Sequence, residues 1–267
     1  MRKYAMLALC CMLLLLPTAT LASTTPENTA KVDESILDQY LDANGYPQEI
    51  IDSFDSDLKE LLYNEKCTFV GAQTESALVQ DGVAPLGSDL DYYSTFVLSR
   101  VSSAPAGLAQ FRISYSWVLP FAPFNNYVDK VAVAWETGWK YVNYSQEWRY
   151  YAHSGDYYSM QSGTNYDASA VTGIATKHDI IGGFTNWDGQ YVSSDSHSGW
   201  LAVTVQQSLA GKGGPDSIGL LGRYFHQVLP FEGSVTIGAA QLSITLPSCY
   251  SWNTNPLYTF DFNWDDF

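Results

Sequence analysis

Charge is scarce in this chain of 267 residues: only 15% of them are Asp, Glu, Lys or Arg, against roughly 25% in typical soluble proteins. The low charge and the 46% share of hydrophobic residues exclude an intrinsically disordered chain. Basic residues are the scarcer of the two signs, with 13 Lys and Arg against 28 Asp and Glu and a formal charge of −15. A chain this anionic does not bind nucleic acid through its phosphates.

The common catalytic signatures are missing as well. The sequence after residue 22 contains no phosphate-binding glycine loop, no Gly-x-Ser-x-Gly elbow, no Cys-x-x-Cys pair and no His-Glu-x-x-His, which argues against several enzyme classes. Its histidines stand singly, at His153, His178, His197 and His226. The sequence therefore favours a protein that is not an enzyme, without a cofactor.

The N-terminus predicts export from the cell. Met1-Arg2-Lys3 is basic, an apolar run of 13 residues occupies 4–16, and Thr20 and Ala22 are the small residues of a cleavage site. This is the pattern of a secretory signal peptide over residues 1–22. Later apolar runs fall short of the roughly 20 residues that a bilayer-spanning helix needs. We expect an extracellular protein with no integral membrane span, and a charge of −17 after cleavage.

A short helical segment follows a flexible, polar leader at 23–32. Asp33 can cap a first helix, Asn44-Gly45 can end it, and Pro47 can begin a second. Apolar residues recur at helical spacing through 33–65, so the sequence predicts a helical hairpin of two helices joined by a Gly-Tyr-Pro turn.

This hairpin is strongly acidic, because residues 33–65 contain ten Asp and Glu and a single Lys. One interpretation is a solvated helix face. The other is a docking surface for a basic protein partner.

Past the hairpin the hydrophobic period changes from 3.6 to 2. Phe111, Ile113, Tyr115 and Trp117 alternate with polar residues, which predicts a half-buried strand, and the wholly apolar run 131–135 predicts a central strand. Similar alternation occurs at 201–205, 235–246 and 258–264. Many strands with regular turns predict an antiparallel β-sandwich or jelly-roll-like domain over 67–267.

Two cysteines remain after cleavage, Cys67 and Cys249. Export would permit a disulfide between them, which by the chain-entropy model could contribute roughly 4–5 kcal/mol. The alternative is two buried thiols that do not meet.

A glycan-active hydrolase would need two carboxylates roughly 5–10 Å apart. Glu136 and Glu147 are the candidates, because each lies beside a tryptophan in the sequence. The alternative is that both are acids at strand edges that discourage aggregation.

Calcium is a weaker possibility. Asp89 and Asp91 place two carboxylates two residues apart in a predicted turn. Asn186 and Asp188 place an amide oxygen and a carboxylate in the same way. Neither pair lies in an EF-hand loop.

The segment 182–200 is the most suggestive for function. Trp187 and Tyr191 lie there among polar residues that include Asn186 and Asp188, and no apolar alternation predicts their burial. Aromatic faces beside amides and carboxylates are a common arrangement for holding sugar rings. The alternative is that Trp187 folds back and plugs one end of the sandwich.

Three segments resemble uncharacterised exported proteins of Gram-positive bacteria: 41–51 and 57–63 in the hairpin, and the strand at 128–135. In those proteins, as here, a signal peptide precedes the hairpin and a β-rich region follows it. The resemblance implies secretion and a bacterial source, and brings no activity or catalytic residue with it.

Together these observations predict a secreted or cell-surface binding module that is not an enzyme, with glycan as the favoured ligand and a cell-surface protein as another partner. The alternatives are an extracellular hydrolase acting on glycan, and a protein-binding module that uses the acidic hairpin.

Overall fold

The fold is given by a computed structural model that describes residues 31–78, 91–119, 128–160, 166–170, 172–227, 235–238, 243–245, 250–252 and 257–267. The predicted signal peptide at 1–22 and all but the last two residues of the leader at 23–32 lie outside the described residues, as do Asp89 and Cys249.

Three short helices open the described chain: α1 (Glu34–Ala43), α2 (Gln48–Ser53) and α3 (Ser56–Asn64). Asp33 caps α1 by accepting a hydrogen bond from the Ser35 backbone N–H at 2.9 Å. The structure divides the second predicted helix into α2 and α3. The division occurs at Phe54 and Asp55, whose backbones are extended, with ψ of 137° and 149°. The interruption lets the Asp55 carboxylate accept a hydrogen bond from Arg149 at 2.7 Å.

The rest of the described chain is mostly antiparallel β-structure, which confirms the predicted fold class. The strands are β1 (Cys67–Leu78), β2 (Asp91–Val101), β3 (Leu108–Leu119), β4 (Val128–Trp135), β5 (Lys140–Tyr151), β6 (Tyr157–Met160), β7 (Tyr166–Ala170), β8 (Gly173–Asp179), β9 (Gly183–Thr185), β10 (Tyr191–Ser193), β11 (Ser196–Ser208), β12 (Pro215–Gln227), β13 (Thr236–Gly238), β14 (Ser243–Thr245), β15 (Tyr250–Trp252) and β16 (Tyr258–Asn263).

These strands form two large sheets and two small ribbons. Sheet A has the order β1-β2-β3-β11-β5-β6, and sheet B has the order β15-β12-β4-β8-β7, with β16 also paired to β12. The ribbons are β9–β10 and β13–β14. The apolar run Val131–Trp135 lies in β4 between β12 and β8, so the prediction of a central strand is confirmed.

An aromatic-rich core fills the space between the inner faces of the sheets. Alternation along β3 turns Ile113, Tyr115 and Trp117 inward, where they pack in one cluster with Val131 and Val133 of sheet B. Stacked sheets enclose this kind of interdigitated layer in β-sandwiches.

The outer face of sheet A carries the helices. A second cluster joins Leu41, Ile51 and Leu58 of the helices to Val97 and Trp200 of the sheet. The helices and the sheet thus share one apolar interior.

This arrangement corrects the prediction for β3, which is buried on both faces from Ala109 to Tyr115 rather than half-buried, while Val118 near its end is exposed. Arg112, on its outer face, is only 1% exposed. Its guanidinium donates to the Glu65 carboxylate and to the Ala202 carbonyl, so the buried charge is paired.

Among the described residues, we find no helix with the length and apolar character needed to span a bilayer.

Candidate functional site

The predicted aromatic segment folds as the β9–β10 ribbon. Its strands pair Thr185 with Tyr191 and Gly183 with Ser193. Phe184 anchors the ribbon, because its side chain is 6% exposed and belongs to the core between the sheets. The tip, residues 186–191, closes with a hydrogen bond from the Asn186 N–H to the Gln190 carbonyl at 2.8 Å.

The tip presents two large aromatic side chains to solvent. Trp187 is 88% exposed and Tyr191 is 72% exposed. Trp187 therefore does not fold back to plug the sandwich. Tyr191 is positioned by a glycine, since a Cβ added to Gly183 would come within 2.6 Å of the Tyr191 hydroxyl oxygen.

The two polar residues beside Trp187 differ in their use. Asn186 is half-buried and holds the turn: its Nδ2 donates to Asp156 Oδ2 at 3.1 Å, and its Oδ1 accepts from the Gln190 N–H at 2.9 Å. Asp188 is exposed. Asn186 and Asp188 were both predicted as ligand-binding residues. In the structure Asn186 holds the turn in place, and Asp188 is exposed beside the aromatic rings.

Neighbouring β6 extends the aromatic surface. Tyr158 is 41% exposed, and its ring stacks on Phe184 with centroids 6.0 Å apart. Tyr157, 46% exposed, lies on the opposite face of the same short strand. Trp187 and Tyr191 of the ribbon and Tyr158 of β6 are therefore exposed aromatic rings next to the buried side chain of Phe184.

The candidate hydrolase carboxylates lie in different sheets and contact different partners. Glu147, on β5 of sheet A, is fully buried, and its carboxylate accepts hydrogen bonds from Arg149 and from Trp200 Nε1. Burial raises the pKa of Glu147, and the hydrogen bonds from Arg149 oppose that rise. Glu136, exposed just after β4, accepts from the Gly219 N–H at 3.1 Å.

A buried polar network that the sequence did not reveal lies between the sheets. Asp129 is fully buried and accepts hydrogen bonds from the Tyr224 hydroxyl and the Gln227 N–H. Its carboxylate also lies 3.0 Å from His226 Nδ1. His197 Nε2 lies 2.9 Å from the Tyr224 hydroxyl oxygen, which extends the network to β11.

Burial sets the protonation of the histidines in this region. It lowers the pKa of His178 and of His197 to about 4, although nearby Asp129 favours their charged forms. Burial also acts to lower the pKa of His226, but the adjoining Asp129 carboxylate outweighs it and raises that pKa. His178 Nε2 and His197 Nδ1 are buried without a hydrogen-bond partner within the described structure.

The metal and disulfide predictions fall largely on residues outside the described part. Asp91 opens β2, whereas its partner Asp89 is not among the described residues. Groups of three or more His, Cys, Asp or Glu able to hold a metal ion do not occur in the described part of the chain. Cys67 is buried with a free thiol, and burial raises its pKa to about 12. Cys249 lies outside the described residues.

Five of the ten acidic side chains of the hairpin form ion pairs with other described residues. Lys59 binds Glu34 and Asp38, Arg149 binds Asp55 and Asp57, and Arg112 binds Glu65. The anionic segment is thus partly neutralised by its own helix and by sheet A, which leaves less charge for a basic partner.

Comparison with known proteins gives distant structural likenesses only. The chain matches no family model and no curated protein. Among solved structures, Clostridium perfringens delta-toxin is 9% identical, with a TM-score of 0.32 over 73% of this chain and 90% of that one. A pore-forming protein is 10% identical, with a TM-score of 0.34 over 75% of this chain and 97% of the other. The membrane-inserted form of the Clostridium perfringens NetB toxin is 8% identical, with a TM-score of 0.31 over 73% of this chain and 98% of that chain. At these scores the likenesses carry no argument about what this chain does.

Proposed function

We propose that the protein is a secreted binding module, not an enzyme, that holds glycan on the aromatic tip of the β9–β10 ribbon. The observation that carries the proposal is the exposure of Trp187 and Tyr191, at 88% and 72%, on a ribbon fixed to the core by Phe184. Large aromatic rings seldom remain this open, because burying one is worth roughly 1.5–3 kcal/mol.

The chemistry of the tip suits a sugar. The apolar C–H face of a pyranose ring can stack on an indole or phenol ring, while neighbouring polar groups bind its hydroxyls. Here Asp188 and Gln190 supply exposed polar side chains between the two aromatic residues. The turn is already ordered by Asn186, so little conformational entropy would be lost on binding.

The test is calorimetric titration of the wild-type protein with three oligosaccharides: cellohexaose, chitohexaose and maltohexaose. We expect at least one of them to bind, and Trp187→Ala to weaken that binding about tenfold or more, which is the loss of about 1.4 kcal/mol of stacking energy. Tyr191→Ala should weaken it in the same direction.

Tyr141→Ala is the matched control, since Tyr141 is also exposed, at 45%, but lies on β5 rather than on the ribbon. Its affinity should equal that of the wild type. Absence of binding to all three oligosaccharides, or unchanged binding in Trp187→Ala, would contradict the proposal.

A further inference from the structure

The helices cover only part of the outer face of sheet A, and a groove of about 410 Å³ remains beside them. One wall is the link from α2 to α3, with Ser53, Asp55 and Leu58. The floor is formed by residues of β1, β2, β3 and β11. This volume lies in the range of about 300–1,000 Å³ that small-molecule sites occupy.

The groove contains an exposed aromatic ring beside the part of sheet A that the helices cover. Tyr93 and Val118, which are paired in register on β2 and β3, are 49% and 45% exposed. Two residues further along β2, Thr95 is 8% exposed, and Val97 is fully buried under the helices. Tyr93 thus lies where the helical cover stops.

Four side-chain hydroxyls that line the groove, those of Thr74, Thr95, Ser116 and Ser198, make only long hydrogen bonds to other described residues. Thr74 Oγ1 and Thr95 Oγ1 are 3.3 Å apart, Ser116 Oγ is 3.5 Å from the Thr95 carbonyl, and Ser198 Oγ is 3.5 Å from the Tyr151 hydroxyl. Strong O–H···O bonds are about 2.5–3.0 Å long. These hydroxyls can therefore exchange their long contacts for shorter ones to a ligand.

The groove offers no net charge to a ligand. Its one carboxylate among the described lining residues, Asp55, is held by Arg149 at 2.7 Å. The described lining contains no Lys or Arg, and its histidine, His197, is 1% exposed. An anionic or cationic ligand would find no counter-charge there, so a neutral ligand fits better.

The strands of the floor also favour a sugar over an extended peptide as the ligand of the groove. A bound extended peptide commonly adds to the edge of a sheet, where backbone groups are unpaired. Among the floor strands, β2, β3 and β11 are interior strands whose backbones pair on both sides, and β1, the edge strand of sheet A, contributes only Thr74 to the described lining. The groove thus recognises its ligand through side-chain hydroxyls, which donate and accept as sugar hydroxyls do.

We propose that this groove is a second binding site, for a neutral saccharide of one or two rings. One ring stacks on Tyr93, and the hydroxyls of Thr95, Ser116 and Ser198 bind the hydroxyls of the sugar. The site is separate from the β9–β10 ribbon and does not depend on the function proposed for it.

The test is calorimetric titration with the disaccharides maltose, cellobiose and N,N′-diacetylchitobiose. We expect at least one to bind with one-to-one stoichiometry, and Tyr93→Ala to weaken it about tenfold through the lost stacking. Ser116→Val, which keeps a strand-forming residue, should weaken it several-fold and serves as the second variant if Tyr93→Ala does not fold. Tyr141→Ala, which changes an exposed ring outside both proposed sites, should bind as the wild type does.

Each other outcome overturns the proposal. If none of the disaccharides binds, the groove is not a saccharide site. If binding is lost in Trp187→Ala and kept in Tyr93→Ala and Ser116→Val, the sugar occupies the ribbon alone, which would support the proposed function and not this one. If hexaglycine binds in a Tyr93-dependent manner and the sugars do not, the groove takes peptides.

Discussion

Arg149 is the residue that most directly joins the helices to sheet A. Its guanidinium binds Asp55 at 2.7 Å, Asp57 at 3.0 Å and Glu147 at 2.8 Å, and the Glu147 side chain is only 1% exposed. Removing one partner of a buried ion pair typically costs 3–5 kcal/mol, because the other charge stays buried. We expect Arg149→Met to lower the free energy of unfolding by about that amount, as measured by urea denaturation at pH 7.

Arg100→Met is the matched control for this prediction. Arg100 Nη1 lies 3.8 Å from Asp266 Oδ2 and donates a hydrogen bond to the Asp266 carbonyl, and the two side chains are 25% and 61% exposed. A solvent-exposed pair of this kind contributes about 1 kcal/mol or less. Equal losses in the two variants would show that Arg149 has no special part in holding the helices.

The ligand candidates at the residue scale were only partly predictable. The sequence singled out Trp187 and Tyr191 because no apolar alternation surrounds them, but it could not decide between an exposed ring and a plug. That choice depends on Phe184, which takes the core position of the ribbon. Tyr93 escaped notice because its exposure depends on where distant helices end.

The β9–β10 ribbon depends on the absence of a side chain at Gly183. A Cβ there would lie 2.4 Å from the Val192 carbonyl oxygen, which is backbone, and 2.7 Å from the Tyr191 ring. We therefore expect Gly183→Ala to displace Tyr191 and to weaken glycan binding, while the sandwich core stays folded. Near-ultraviolet circular dichroism and the oligosaccharide titration would measure the two effects.

Gly213→Ala is the control for the ribbon, since its added Cβ would be 3.6 Å from the nearest atom, Asp265 Oδ1. Substitutions without a clash usually change stability by about 0.5 kcal/mol or less. If Gly183→Ala and Gly213→Ala bind the oligosaccharide with equal affinity, the packing of Tyr191 on Gly183 does not contribute to glycan binding.

At the scale of elements, local patterns predicted the strands and the first helix well. Period-two alternation predicted β3, β11 and β16, the wholly apolar run 131–135 predicted β4, and the Asn44-Gly45 stop predicted the end of α1. The break at Asp55 was missed because the partner of its carboxylate, Arg149, is 94 residues away in the sequence. The burial of the outer face of β3 between Ala109 and Tyr115 was missed for a similar reason, since the helices that cover it are distant in sequence.

The whole molecule should lose stability in acid because His178 and His197 are buried in neutral form, each with a pKa of about 4. In the unfolded chain a histidine titrates near pH 6.5. As pH falls below that value the unfolded state binds more protons, so unfolding becomes easier by about 1.4 kcal/mol per pH unit for each histidine. Urea denaturation at pH 7.0, 6.0 and 5.0 would measure this slope.

Other groups in the same region act in the opposite direction. The raised pKa of His226 beside Asp129 stabilises the fold below the unfolded pKa, and this stability is lost as pH rises. The contribution of His178 is therefore isolated by comparing the pH dependence of stability in the wild type and in His178→Phe. The phenylalanine keeps a ring against Trp148, whose ring centroid lies 4.7 Å from that of His178. We expect a shallower loss between pH 6.5 and 5 in this variant. An unchanged slope would show that His178 does not titrate as inferred.

This network could not be predicted from the sequence, because the fold assembles it from separate strands. Asp129 is on β4, His197 on β11, and Tyr224 and His226 on β12. Single histidines in a sequence give no sign of such a partner. The pairing of β4 with β12 brings Asp129 beside Tyr224 and His226, and His197 joins them from β11 of sheet A.

The most direct test of the binding surface is acrylamide quenching of tryptophan fluorescence, with and without a saturating oligosaccharide. Among tryptophans whose side chains the structure describes, Trp187 is 88% exposed and the others are 5% or less. The readily quenched fraction should therefore disappear in Trp187→Phe, and bound oligosaccharide should shield it in the wild type. Quenching that the variant or the bound sugar leaves unchanged would contradict a binding surface at the tip of the ribbon.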